Sequence, residues 1–196
     1  MNQKPEPACA AAGLLLAALL FLAAVDIQAE GDIRTGMEAE VTTVIVVRHV
    51  EKVDDSDDPP LSAAGEARAR LLVELLQANP PDAIYASQYR RTQDTVAPAA
   101  AHFGLEVRID PVERPIEDWA RRFAGQLITA HRGQTVLVAG HSNTVPMLVG
   151  ALCGCAVEAI DDSVYDRIWR VSRPRTDEAS LTISRFGAET NESTES

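Results

Sequence analysis

Lysine is almost missing from this chain. Only Lys4 and Lys52 occur in 196 residues, and the other basic residues are arginines. Acidic residues outnumber basic ones 29 to 18, which gives a net charge of −11 and a pI near 4.8. That balance argues against a nucleic-acid-binding surface, which is normally basic. Cysteine is also scarce, with three in all. Cys9 precedes an apolar block instead of following it, which makes a lipoprotein reading weak. Cys153 and Cys155 flank Gly154, and so short a spacing strains a disulfide. With no histidine beside them they also make a poor metal site. They are expected to be two small buried residues near a helix end. Long apolar runs are lacking except for one, which excludes a polytopic membrane protein. The charged fraction of 24% is ordinary, so wholesale disorder is excluded as well.

The single long apolar run covers residues 8–25. Lys4 precedes it, Asp26 ends it, and small residues follow up to Ala29. A positive start, an apolar middle and a small-residue exit form the layout of a secretory signal peptide over residues 1–29. An uncleaved membrane anchor through residues 8–25 is the alternative, because 18 residues stand at the short edge of a bilayer span. The expected localisation is therefore periplasmic or secreted. The remaining chain suits one domain large enough to need no staples. A polar spacer at 30–40, a domain at 41–186 and a flexible tail at 187–196 complete the organisation.

Within 41–186, strand-like and helix-like patterns alternate. Val41 to Val47 is a continuous β-branched run, as in a strand buried on both faces. Leu61 to Gln77 reads as a helix capped by Ser62, with Ala64, Ala67, Leu71 and Leu75 on one stripe. A short strand follows at 82–87. The helix at 90–103 has Pro98 as a kink or break and Gly104 as its stop. A strand at 105–109, a helix at 116–131, a strand at 135–139 and a short helix at 145–152 come next. Two late strands lie at 167–172 and 180–186. The pattern predicts an α/β fold: a three-layer α/β/α sandwich around a mainly parallel sheet.

Ligands in such folds sit beyond the C-terminal strand ends. The first strand there ends in Arg48, His49, Val50, Glu51 and Lys52. The fourth ends in Gly140, His141, Ser142, Asn143 and Thr144. The second is followed by Ser87, Arg90, Arg91, Gln93 and Thr95. Two imidazoles among guanidinium forks, without an acidic ligand set, suit a tetrahedral oxyanion better than a metal. A neutral histidine in that cradle can attack phosphorus, and neighbouring cations favour the neutral form. His102 and His131 fall at helix ends and read as structural. Trp119 and Trp169 read as core. The acidic run at 54–58 lacks the glycine and distant glutamate of an EF-hand loop and reads as a solvated loop.

These motifs resemble the histidine phosphatase superfamily, with its phosphoglycerate mutase-like fold. Arg48-His49 with Glu51-Lys52 resembles the opening motif, Leu61-Ser62 with Gly65 the next landmark, Ser87, Arg91 and Thr95 the third, and Gly140-His141-Ser142 the second-histidine motif. The resemblance spans about 41–186. It implies His49 as the phosphorylated residue, with Arg48, Arg91 and His141 holding the phosphoryl oxygens. Ser142 and Asn143 would add substrate contacts. It implies Glu113 as general acid, with Asp110, Glu117 and Asp118 as competitors. It needs no metal or cofactor. The implied activity is an exported, metal-independent phosphomonoesterase acting through a phosphohistidine. A phosphohistidine-protein phosphatase and a non-catalytic phosphate or phosphosugar binder are the alternatives. The short chain leaves little room for the additional segments of the family's mutases. The substrate and the oligomeric state stay open.

Overall fold

The structure is a computed structural model that describes Met1 and residues 40–175 and 178–190. The expected leader, its apolar run, nearly all of the spacer and residues 191–196 lie outside the described residues. No described helix is long and apolar enough to cross a membrane.

In chain order the elements are β1 (Thr42–Arg48), α1 (Ala63–Leu76), β2 (Ala83–Ala86), α2 (Arg90–Phe103), β3 (Val107–Ile109), α3 (Ile116–Ala130), β4 (Thr135–Gly140), α4 (Val145–Cys153), β5 (Arg167–Arg173) and β6 (Ser180–Arg185). They follow the sequence reading to within one or two residues at nearly every end. The strands form one sheet in the order β3-β2-β4-β1-β5-β6. The first four are mutually parallel, and the closing β5–β6 pair runs antiparallel.

Strand periodicity builds the layers. Val44 and Val46 of β1 and Val136 and Val138 of β4 face one way. There they pack under Trp119, Phe123 and Leu127 of α3 and Leu148 and Leu152 of α4. Ile45, Val47, Leu137 and Ala139 face the other way, against Leu72 and Leu76 of α1 and Val96 and Ala99 of α2. Both faces are covered, so the β-branched runs are apolar without alternation. The result is a three-layer α/β/α sandwich around a mainly parallel sheet.

Local signals act as read in several places. Ser62 caps α1 by accepting from the Gly65 amide. Gly104 ends α2 in the left-handed conformation at φ 67°. Pro98 does not break α2, which runs on to Phe103. Two expectations need correction. Cys153 and Cys155 are disulfide-bonded and partly exposed, not two buried thiols. Gly154 between them adopts φ 69°, which folds the chain back until their Cα atoms lie 5.2 Å apart, within disulfide reach. The described start of the tail is also tied down. Arg68 donates to the Phe186 and Ala188 carbonyls, and the Thr190 amide donates to Asp166.

Candidate active site

Register brings the two histidines together. Arg48 and Gly140 are partners at the ends of β1 and β4, and the His49 amide extends the ladder by donating to the Gly140 carbonyl at 2.8 Å. His49 and His141 therefore leave adjacent parallel strands at the same level. Their rings meet edge-on with centroids 5.4 Å apart. Both are buried, with 3% and 8% of their surface exposed.

Hydrogen bonds fix the imidazole protons. Nδ1 of His49 lies 2.9 Å from the Val50 carbonyl, which can only accept. Nδ1 therefore carries the proton, and Nε2 keeps its lone pair. Nε2 of His141 lies 2.9 Å from the Ser87 hydroxyl, which lies 2.8 Å from the Thr92 hydroxyl. Thr92 spends its own proton on the Tyr89 carbonyl at 2.7 Å. Ser87 must then donate to Thr92 and accept from His141, so Nε2 of His141 is the protonated nitrogen. Its buried Nδ1 has no partner among the described residues, and neither does Nε of Arg48. Thr144, just before α4, accepts from the His141 amide at 2.8 Å and steadies that turn.

Burial and positive charge keep both rings neutral. Desolvation, then Arg48, Arg91 and Lys52, push His49 down to about 4 against the opposing pull of the Val50 carbonyl. Desolvation, His49, Arg91 and Arg48 push His141 down to about 3.

The rings open into a cavity of about 580 Å³. Arg48, Arg91, Lys52, Ser142 and Asn143 line it with the histidines. The Arg48 guanidinium donates to the Asp161 and Val164 carbonyls at 2.9 Å each and stacks 4.2 Å over the Tyr165 ring. Arg91 donates to the Asp57 carbonyl and stands 3.6 Å from the Asp58 carboxylate. Arg90 turns outward to Asp94. The acidic loop is thus more than a solvated run, because Asp58 also accepts from the Arg90 amide at the start of α2.

The acid candidates do not join the cluster. Glu113 is 71% exposed and faces Arg122 at 3.9 Å. Asp110 accepts from Trp119 Nε1 and Arg122, and Asp118 pairs with Arg121. Glu117 is exposed at the start of α3. Among the described residues the carboxylates lining the cavity are Asp55 and Asp162, paired with Lys52 and Arg48. His131 is structural, held by the Tyr85 hydroxyl and Gln134. Tyr165, Asp162, Tyr89 and Arg114 line the cavity without having been legible in the sequence. They sit on loops that only the folded sheet brings to this edge.

Known proteins share this frame. Residues 44–117 match the model of the histidine phosphatase superfamily, branch 1. No curated protein matches the chain significantly. Among solved structures, the mycobacterial glucosyl-3-phosphoglycerate phosphatase superposes with a TM-score of 0.59 at 16% identity, over 76% of this chain and 100% of that one. A chain described as an alpha-ribazole-5'-P phosphatase from Escherichia coli gives 0.61 at 18%, over 74% and 97%. One described as the phosphohistidine phosphatase SixA from Nakamurella gives 0.56 at 20%, over 76% and 99%. At such identities the likeness is one of fold. Residues 44–117 thus carry the match to the histidine phosphatase superfamily, and the chain shares the fold of these solved phosphatases.

Proposed function

We propose that this chain is a phosphomonoesterase that works through a phosphohistidine at His49. The observation that carries the reading is the orientation of His49, whose Nδ1 is bound to the Val50 carbonyl while Nε2 is left as a free nucleophile beside His141. Nε2 attacks phosphorus, and the P–O bond to the alcohol breaks. Arg48 and Arg91 balance the charge on the phosphoryl oxygens, and His141 holds a protonated one, so the step needs no metal. A phosphoryl oxygen accepts from Nε of Arg48, and the P–OH of a monoanionic ester supplies the donor that Nδ1 of His141 lacks. Ser142 and Asn143, at the approach to α4, add polar contacts from the cavity wall. Water then attacks phospho-His49 and releases inorganic phosphate.

Glu113 lies between Val112 and Arg114, both of which line the cavity. To protonate the leaving alcohol, its side chain must turn from Arg122 into the cavity. The consequence is measurable. Glu113→Gln lowers kcat on alkyl phosphates by roughly a hundredfold and on p-nitrophenyl phosphate far less, because nitrophenolate leaves without a proton. Equal losses on both substrates, or none, remove Glu113 from the role.

The central test is His49→Ala. Activity on p-nitrophenyl phosphate falls to background, and the acid-labile phosphohistidine seen after quenching the native enzyme disappears. Full activity in the variant ends the proposal. A chain that only binds phosphate forms no phosphoenzyme. A phosphohistidine-protein phosphatase forms one from phosphohistidine peptides faster than from sugar phosphates. The charge and apolar layout of residues 1–29 supports export as part of the same reading. Cell fractionation with N-terminal sequencing checks it, and a cytosolic protein retaining Met1 refutes it.

A further inference from the structure

The end of α4 far from the cavity carries chemistry that the phosphoryl reading does not use. α4 leaves the His141 turn at Val145, and its nine residues rise about 13 Å to Cys153. There a disulfide joins Cys153 to Cys155 across Gly154. Such a bond is a poor staple. With one residue between the cysteines the closed loop is very short, so it removes little freedom from the unfolded chain. A domain of this size also has core enough without it. The bond is open to attack. Cys155 and its neighbours Gly154 and Ala156 are exposed, whereas Cys153 is half-buried against the core. The two sulfurs differ in a second way. The Cys155 amide donates to Sγ of Cys153 at 3.2 Å. Arg173 donates to the Leu152 carbonyl at 2.8 Å, which sets a guanidinium at the negative end of the helix, beside Cys153. A hydrogen-bond donor and a nearby cation both favour a thiolate on Cys153. Alongside, a groove of about 280 Å³ is walled by Ala124, Ile128, Ala151 and Arg173.

We propose that Cys153–Cys155 is a thiol-exchange site that oxidises a dithiol on another polypeptide. The proposal goes beyond the phosphatase reading and does not depend on it. A partner thiolate attacks the exposed Sγ of Cys155. The Cys153–Cys155 bond breaks, and Cys153 leaves as the thiolate that the Cys155 amide is placed to hold. The partner's second thiolate then attacks its own sulfur in the mixed disulfide. A disulfide forms in the partner, and Cys155 is released as a thiolate. The partner loses two electrons and two protons, and the pair gains them as two thiols. A small-molecule disulfide reverses the exchange and restores the pair. The groove beside Cys153 gives the backbone of the partner room to lie.

The test uses the full chain carrying Cys9→Ser, so that no other cysteine contributes, and a synthetic peptide bearing two reduced cysteines. Mass spectrometry follows both. The chain oxidises the peptide about tenfold faster than an equal concentration of oxidised glutathione does, and loses its own disulfide one for one. Excess oxidised glutathione then sustains turnover. Cys153→Ala accumulates a mixed disulfide with glutathione at Cys155, and Cys155→Ala forms several-fold less at Cys153. The double variant exchanges nothing and unfolds within a few degrees of the native chain, as suits so short a loop. The rate on the native pair needs no variant and decides the matter. A pair that the peptide leaves intact, or reduces no faster than it reduces oxidised glutathione, overturns the proposal. A mixed disulfide that favours Cys153 overturns the assigned order of attack.

Discussion

His49 and His141 are neutral because the fold buries them among arginines. In the unfolded chain each takes a proton near pH 6.5, while in the folded chain they hold out to about 4 and about 3. Between those limits the unfolded state binds more protons, so stability falls as the pH falls. The contribution is fully present above pH 6.5, declines through the window down to about pH 3 and then levels off. It amounts to as much as about 8 kcal/mol for the pair. Urea midpoints measured from pH 7 to pH 3 check this, and the slope flattens in His141→Asn. On the proposed mechanism the same shift sets the acid limit of activity. Phosphoenzyme formation in rapid quench persists on the acid side until His49 is protonated near pH 4, instead of failing near 6.5. At this scale the sequence named the histidines and both arginines. It could not show that Glu113 points to Arg122, because direction depends on the turn that carries it.

The connection between β1 and α1 shows how an element constrains the site. Gly65 lies in the first turn of α1, and a Cβ there would stand 2.1 Å from the Glu51 carbonyl oxygen. The helix must press against the strand-end loop that holds His49, and only glycine allows that approach. Gly65→Ala is expected to cost about 3 kcal/mol by forcing helix and loop apart. It should also lower kcat by displacing His49. Chemical denaturation and steady-state kinetics on one preparation check both effects. An alanine variant as stable as the native chain would show that the contact relaxes freely. Elements were legible because their signals are local: the β-branched run of β1, Ser62 before α1, Gly104 after α2. The cap of α2 was not, because the group accepting the Arg90 amide is Asp58, 32 residues earlier. The Cys153–Cys155 bond was misjudged for a related reason. Spacing alone suggests strain, and the left-handed Gly154 that closes the gap is a backbone choice.

Across the whole molecule, one buried ion pair ties the site to the end of the chain. Arg68 on α1 holds the Glu51 carboxylate at 2.7 Å and the carbonyls of Phe186 and Ala188. Arg68 is 6% exposed and Glu51 19%, so removing one partner leaves the other nearly dry. Arg68→Ala should cost about 3 kcal/mol. It should also speed amide exchange in Phe186 and its neighbours beyond the rest of β6. Hydrogen exchange read by mass spectrometry checks this, and exchange confined to α1 would deny the link. The sequence by itself determined the order of strands and helices, the two covered sheet faces and the strand ends that bear the two histidines. Periodicity, caps and motif order are written along the chain, within reach of neighbouring residues. Tertiary structure alone decided the strand order, which sets β1 beside β4 and so makes a pair of His49 and His141. It also decided that Tyr165 lies under Arg48, that Asp58 faces Arg91, and that Arg114 reaches the cavity wall. Each is a contact between segments far apart in sequence, fixed by packing across the whole sheet.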